Sequence, residues 1–196
     1  IRAAFIPQPG MKWVSADFSQ IELRILAHYS NDPYMRHIYD NGGDIHSMTA
    51  MKAFGVSQAE YAAYDEAQKK DFEDYKRLPA KNVGFGLVYG MTAKGLQAQL
   101  ALTSIYWTEE ECQGFIDKWL GVFVNVLPWM KQQEYRALTY GFVWDLWGRV
   151  RWCPGIHSAH KRIIAEALRE AGNMPIQASS AGLTKYTMAL MEQRDR

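Results

Sequence analysis

Signals that start and stop helices recur along this chain and constrain its fold more than any other feature. Asp32 and Pro33 pair an N-cap residue with proline at the first helical position. Capping boxes, in which Ser or Thr is followed three residues later by Glu, occur at residues 19–22, 57–60 and 108–111. Further start or stop residues are Gly42, Gly43, Asp44 and Gly55. The chain is therefore predicted to form a series of short helices.

Three prolines are expected to divide the longer helical segments. Pro79 should break or restart a polar helix that runs to about residue 76. Pro128 is expected to kink a long helix, and Pro175 to separate helices at 161–171 and 178–193.

Strand signals are few. Residues 13–16 are predicted to form a short strand that leads into Asp17, and residues 142–147 and 150–152 resemble a β-hairpin around Gly148 and Arg149. The predicted fold class is α+β, helix-rich, with a small antiparallel sheet.

Composition excludes several classes of protein. Of the 196 residues, 48% are hydrophobic and 22% are charged, as in a soluble globular protein and unlike a disordered one. No apolar run approaches the ~20 residues of a membrane helix, and the N-terminus does not resemble a signal peptide. Cys112 and Cys153 form no CxxC pair, which fits a reducing compartment and indicates no zinc or disulfide framework. With a net charge of +1, any affinity for nucleic acid must come from local basic patches.

Asp17 is the candidate metal ligand. A carboxylate at the end of a strand is well placed to hold Mg²⁺, which prefers oxygen ligands. An ordinary turn or cap aspartate would produce the same pattern. Glu22 is equally ambiguous, because the third position of a capping box already explains a glutamate.

A basic and aromatic stripe follows Pro79. Arg77, Lys81, Phe85 and Tyr89 are spaced by four, so on a helix they form one slowly spiralling face. Two cations near a helix N-terminus suit a triphosphate, and two aromatic rings suit a base or sugar. An amphipathic helix with a solvated basic end explains the stripe as well. The nearby glycines match neither G-x-G-x-x-G nor a P-loop, although they indicate close approach of a ligand or of a packed helix.

Several other polar residues have both a structural and a functional interpretation. His46 lies one turn into its helix and is most simply a structural histidine. Arg169, Asn173 and Gln177 repeat the spacing of four and could bind a duplex or cap a helix end. Arg149 and Arg151 add a modest basic patch on the hairpin.

In this order, these residues resemble the family A DNA polymerases, which include bacterial DNA polymerase I and many phage replicative enzymes. Residues 17–24 (DFSQIELR) look like the family's motif A, and residues 77–90 (RLPAKNVGFGLVYG) look like motif B. Residues 169–177 (REAGNMPIQ) are similar to the segment after the palm hairpin, and residues 44–46 (DIH) to a fingers element. The resemblance covers essentially the whole chain.

The resemblance implies a truncated right-hand polymerase core, with palm at 1–30 and 138–196 and fingers at 31–137. Asp17 and the Phe18 carbonyl would bind two Mg²⁺ ions. The implied deoxynucleotide ligands are Gln20, Glu22, His46, Arg77, Lys81, Phe85 and Tyr89. Lys81 would also donate a proton to pyrophosphate.

The same resemblance implies selectivity and DNA contacts. Glu22 would exclude a ribose 2′-hydroxyl, and Phe85 would stack on the incoming nucleotide and disfavour dideoxynucleotides. Tyr89 would sit at the templating position. Primer–template DNA would be bound by Tyr89, Arg169, Asn173 and Gln177. We expect no membrane association and a cytoplasmic location. The sequence does not identify which processivity partner is used.

Departures from the family pattern qualify these expectations. The interval from Asp17 to Arg77 is longer than in bacterial enzymes, with residues 61–76 absorbing the excess, and the Trp-rich hairpin leans towards a phage-type enzyme. The His-Asp-Glu turn of motif C does not occur up to Arg196. The chain alone is therefore expected to be inactive or nearly so. The alternatives are a non-catalytic nucleic-acid-binding relative and, less favoured because of Glu22, a single-subunit RNA polymerase relative.

Overall fold

The computed structural model describes residues 6–194, except for the side chains of Phe85, Val88 and Arg194. Over these residues the fold is helix-rich α+β with one small antiparallel sheet, which confirms the predicted class. The helices are α1 (Ile21–Ser30), α2 (Pro33–Asp40), α3 (Ile45–Phe54), α4 (Gln58–Ala62), α5 (Glu66–Phe72), α6 (Leu78–Val88), α7 (Ala93–Ala101), α8 (Glu109–Val122), α9 (Val126–Tyr140) and α10 (Lys161–Arg194).

The two strands form the predicted hairpin. β1 (Phe142–Trp144) pairs with β2 (Val150–Trp152), with Val143 opposite Arg151. A buried carboxylate, Asp145, closes the turn by accepting from the backbone N–H groups of Trp147 and Arg149, both at 2.9 Å. Ser179 on α10 accepts a hydrogen bond from the Leu146 backbone at 3.1 Å, so the hairpin is fixed against that helix.

Most helix starts follow the local capping rules. Asp32 accepts from the backbone of Tyr34 and Met35, and Asp44 from that of Ser47. The capping boxes at residues 57–60 and 108–111 are both formed. Each cap satisfies backbone N–H groups that a helix cannot pair internally, so these predictions are confirmed.

Two predictions near the N-terminus are wrong. Residues 13–16 have no regular secondary structure, since a strand requires a hydrogen-bonded neighbour and none of the described residues provides one. Ser19 does not cap α1; Gln20 is the N-cap, in a left-handed conformation with φ of 54° and no side-chain cap. Both Gln20 and Glu22 instead bond to distant residues.

The polar segment before Pro79 is more divided than predicted. Residues 63–65 interrupt it, and Asp65 begins α5 with a capping box of its own. A π-helical turn, Glu73–Arg77, then runs into α6 without a break. Pro79 lies in the first turn of α6, where its missing N–H costs little. In a regular α-helix the proline ring would crowd the carbonyl group one turn earlier. The wider π turn lies at that position, just before the proline.

The other two proline predictions are wrong in opposite ways. Pro128 does not kink one long helix but lies in the first turn of α9, after α8 has ended. Pro175 does not end a helix but lies inside the continuous α10. An interior proline costs about 3 kcal/mol, and burial of Ala171 and Ile176, both 0% exposed, offsets that cost.

The core has two parts. The larger one joins α1–α3 to α6–α9, and its fully buried members include Leu23, Met35, Val83 and Trp119. A smaller one lies under the hairpin, where Val143 packs with residues of α9 and α10. Among the described residues, no helix is both long and apolar enough to cross a membrane.

Candidate active site

Asp44 is the centre of a polar cluster where α1, α3 and the π turn meet. Its carboxylate accepts hydrogen bonds from Arg77 Nε (2.9 Å), from the Ser47 backbone (2.9 Å) and hydroxyl (2.7 Å), and from Gln20 Nε2 (2.9 Å). Burial favours the neutral acid, but the bonds from Arg77, Ser47 and Gln20 hold the pKa of Asp44 well below its usual range. Asp44 is therefore an anchored carboxylate, although sequence signals marked it only as a helix cap and part of the DIH segment.

Gln20 uses both ends of its amide. It donates to Asp44 and accepts from the Tyr39 hydroxyl at 3.3 Å. This residue therefore links the start of α1 to α2 and α3.

His46 is buried on α3 beside the basic stripe. Burial lowers its pKa from 6.5 to about 4; Asp44 opposes that change, whereas Arg77 and Lys81 reinforce it. His46 is thus a neutral imidazole at pH 7. The Cβ position of Gly84 on α6 lies 3.9 Å from Nδ1 of His46, and Arg77 bonds to Asp44 at the start of α3. The structure thus packs α3, which carries His46, beside the helical segment that carries Arg77 and Lys81.

This burial predicts a pH-dependent stability. His46 binds a proton near pH 6.5 in the unfolded chain but only near pH 4 in the folded one. Between these values the unfolded chain binds more protons, so the free energy of unfolding falls as pH is lowered from 6.5 to 4, by up to about 3 kcal/mol. Urea unfolding at several pH values should show this fall, and His46→Gln should reduce its slope. The same slope in both proteins would contradict a buried neutral His46.

A second cluster joins α1, α6 and α10. The Tyr89 hydroxyl donates to both carboxylate oxygens of Glu22, at 2.9 and 2.8 Å. Burial raises the pKa of Tyr89, a hydrogen bond with Gln177 opposes this, and Glu22 adds to it. Three residues assigned from separate sequence segments therefore meet in one place.

The glycines of the 84–90 segment allow close packing. A Cβ on Gly86 would lie within 3 Å of the Met91 side chain, and Cβ on Gly90 would lie 2.5 Å from Cδ of Arg169. At Gly84 the contacts would be ordinary, with His46 Nδ1 at 3.9 Å. Of the two interpretations that the sequence left open, close packing by protein side chains is confirmed at Gly86 and Gly90.

We predict that Gly90→Ala destabilises the protein by about 1–3 kcal/mol. Gly90 has φ of +72°, which disfavours any side chain, and the new methyl group would also displace Arg169. Gly141→Ala is the matched control, because Gly141 has φ of +76° but open space around its Cβ position. Chemical unfolding of both variants separates backbone strain from the Arg169 contact. Equal losses would contradict a tight contact between Gly90 and Arg169.

A groove of about 770 Å³ separates α10 from β2. Asn173 and Gln177 line it together with Trp152, which is 68% exposed, and Arg151. The Asn173 Oδ1 atom is buried and accepts no hydrogen bond from the described residues. Arg169 lies one turn before Asn173 on α10, beside Gly90 and in a separate pocket. The predicted DNA-binding residues on α10 therefore follow one another along the helix near Tyr89 and Gly90, although they line two different pockets.

Asp17 stands apart from both clusters. It is exposed and lies in the irregular segment before α1, and Phe18 next to it is 45% exposed. Among the described residues there is no group of three or more His, Cys, Asp or Glu side chains placed to hold a metal ion. The Phe85 side chain, expected to stack on a nucleotide, is outside the described set. The Asp17 carboxylate offers the hard oxygen ligands that Mg²⁺ prefers, but it is a single side chain.

Comparison with known proteins agrees with the resemblance seen in the sequence. The model of DNA polymerase family A matches residues 1–195. The chain is 35% identical to the thermostable DNA polymerase I of Thermus aquaticus over 194 residues, covering 99% of this chain and 21% of that protein. It is 34% identical to DNA polymerase I of Pseudomonas aeruginosa over 192 residues, covering 98% and 19%. The chain thus spans about a fifth of the length of these curated relatives.

A solved structure is similar across most of the chain. It is the POL domain of Pol1 from M. smegmatis in complex with DNA primer-template and dNTP, with a TM-score of 0.76 and 30% identity. The match covers 91% of this chain and 29% of that one. With the family model matching nearly every residue, the chain belongs to DNA polymerase family A.

Proposed function

We propose that this chain forms palm and fingers parts of a DNA-directed DNA polymerase, which adds deoxynucleotides to a primer 3′-hydroxyl as a template directs. The observation that supports this most is the packing of α3, which carries His46, against the helical segment of Arg77 and Lys81, with Arg77 bonded to Asp44 at the start of α3. Palm would comprise residues 1–30 and 138–196, and fingers residues 31–137. The M. smegmatis relative was solved with primer-template and dNTP, and we propose the same partners here, in the cytoplasm.

The triphosphate would bind at the corner between α3 and α6. Arg77 and Lys81 supply positive charge on one face of the helical segment formed by the π turn and α6. Because the π turn runs into α6 without a break, the helix N-terminus that the sequence predicted beside these cations is not there, and the side chains alone would provide the charge. His46, neutral and buried, would donate a hydrogen bond to a phosphate oxygen. Lys81 is exposed and so can approach the leaving pyrophosphate and donate a proton to it. Gln20 would contact the nucleotide through the amide hydrogen that Asp44 does not use.

Asp17 and the Phe18 carbonyl would hold two Mg²⁺ ions. When bound, the ions would stabilise the attacking 3′-oxygen and the leaving pyrophosphate oxygen of an in-line displacement. The exposure of Asp17 leaves its carboxylate open to such ligands. Among the described residues Asp17 is the one carboxylate proposed to bind metal, so the chain alone should have little or no activity.

Glu22 and Tyr89 would select the nucleotide. The Tyr89 hydroxyl fixes the Glu22 carboxylate, which would then occupy the space that a ribose 2′-hydroxyl needs. Phe85 would stack on the incoming base and make dideoxynucleotides poor substrates. Tyr89 would lie next to the templating base.

Primer–template DNA would lie along α10. Arg169 and Gln177 are donors suited to the acceptors that every base pair presents in the minor groove. The buried Oδ1 atom of Asn173 accepts no hydrogen bond from the described residues. A hydrogen-bond donor from DNA or water in the groove would satisfy it. Contact with these shared acceptors would not depend on sequence.

Primer extension tests the proposal. We would compare this chain with a longer polypeptide of the same gene that reaches the length of the curated relatives, here termed the extended polymerase. With Mg²⁺ and four deoxynucleotides, the extended polymerase should lengthen the primer and the chain alone should not. Extension by the chain alone would contradict the need for further carboxylates.

The alternative is a relative that binds nucleic acid without catalysis. The groove beside α10, lined by Arg151, Asn173 and Gln177, could bind nucleic acid whether or not catalysis occurs. An extended polymerase that binds primer–template tightly but adds no nucleotide would establish this alternative.

A further inference from the structure

Arg77 is fixed along one side and open on the other. Its Nε donates to Asp44 at 2.9 Å and to the Ser47 hydroxyl at 3.0 Å, and Nη1 is paired with Glu73 at 3.2 Å. A guanidinium has five N–H donors. Within the described part of the chain, Nη2 has no hydrogen-bond partner, and the side chain is 27% exposed. The free donors of Arg77 are therefore accessible to a ligand.

Asp44 cannot turn away from Arg77 without loss of other bonds. One oxygen accepts from Ser47 as the cap of α3, and the other accepts from Gln20, which Tyr39 holds in turn. Asp44 and Arg77 are 33 residues apart and belong to different helical segments. The contact thus sets the position of a long, flexible side chain from outside its own helix.

We propose that Asp44 is a positioning residue: it fixes Arg77 through Nε and so presents Nη2, beside Lys81 and His46, to the phosphates of the nucleotide. This inference rests on the proposed function. An arginine that is ordered before binding loses less rotamer freedom when the ligand arrives. The negative charge of Asp44 works against phosphate binding, so the proposal requires that this ordering outweighs the repulsion.

The test separates binding of the nucleotide from the chemical step. In the extended polymerase, Asp44→Ala should raise KM for deoxynucleotides about 10-fold while kcat changes by less than about 3-fold. Asp44→Asn should raise KM less, by about 3-fold, because asparagine also caps helices and offers Arg77 a neutral acceptor. The control is Asp65→Ala, which removes the aspartate cap of α5 but touches no residue of this cluster, and it should leave KM unchanged.

A double-mutant cycle shows whether Asp44 acts through Arg77. In an Arg77→Ala background, Asp44→Ala should change KM by less than about 2-fold, because the residue it positions is gone. An undiminished 10-fold effect in that background, or an unchanged or lowered KM in Asp44→Ala alone, would overturn the inference. A fully active Arg77→Ala variant would instead count against the proposed triphosphate site itself.

Discussion

Replacement of Asp17 by alanine is expected to lower primer extension by the extended polymerase by about three orders of magnitude or more, which corresponds to at least ~4 kcal/mol of transition-state stabilisation. Asp17 is the proposed ligand of both Mg²⁺ ions, so its loss removes the main protein contact that fixes them against the 3′-oxygen and the pyrophosphate. Because Asp17 is exposed in an irregular segment, the variant should fold normally and retain affinity for primer–template.

A matched control makes this result specific. Asp71→Ala removes another exposed carboxylate, on α5, and should leave extension unchanged. Rates from single-turnover extension, with binding measured separately by fluorescence anisotropy, distinguish loss of chemistry from loss of affinity. An Asp17→Ala variant with more than about a tenth of the parent rate would exclude Asp17 as the principal metal ligand.

Glu22→Ala is expected to increase ribonucleotide incorporation, relative to deoxynucleotide incorporation, by about 100-fold, which equals ~2.7 kcal/mol of discrimination. The Tyr89 hydroxyl donates to both oxygens of Glu22 and so holds the carboxylate in place, where we propose that it blocks a 2′-hydroxyl. Removal of the side chain opens that space. Steady-state incorporation of matched ribo- and deoxynucleotides by the extended polymerase measures the ratio.

Two further variants separate the effect of the volume of the Glu22 side chain from the effect of its orientation. Glu22→Gln keeps the size of the side chain and should preserve most of the discrimination, whereas Tyr89→Phe removes the hydroxyl that fixes Glu22 and should weaken it moderately. If Glu22→Ala leaves the ratio unchanged, Glu22 does not act on the sugar, and its bond with Tyr89 is structural.

Local sequence rules predicted most of the helix starts because the caps are local. Asp32, Asp44, Ser57 and Thr108 each bond to backbone within three residues. The same rule failed at Ser19, since Gln20 and Glu22 bond to residues 24 and 67 positions away. The failure of a local rule therefore marked two residues of the candidate site.

The other failures also have long-range causes. Pro175 was expected to end a helix, but the burial of its neighbours outweighs its local cost. The strand at 13–16 was predicted from its apolar residues, yet strand formation depends on a partner that its own sequence does not specify.

The candidate site was only partly predictable for the same reason. Resemblance to a family identified Glu22, Tyr89 and Gln177, and the structure places them together. It gave no reason to connect Asp44 with Arg77 or Glu73, because that arrangement depends on how α3 packs against the π turn. The spacing of residues along one helix predicted that Arg77 and Lys81 share a face. It could not predict which carboxylates hold Arg77 in place.

Single-nucleotide incorporation tests the central claim most directly. The extended polymerase would be given Mg²⁺ and primers paired with four templates that differ only in the first unpaired base, with one deoxynucleotide at a time. We predict that the primer gains one residue efficiently only when the nucleotide complements that base, and that the preferred nucleotide changes with the template. Addition that is independent of the template, or no addition by a folded protein that binds the duplex, would contradict the assignment of template-directed DNA synthesis.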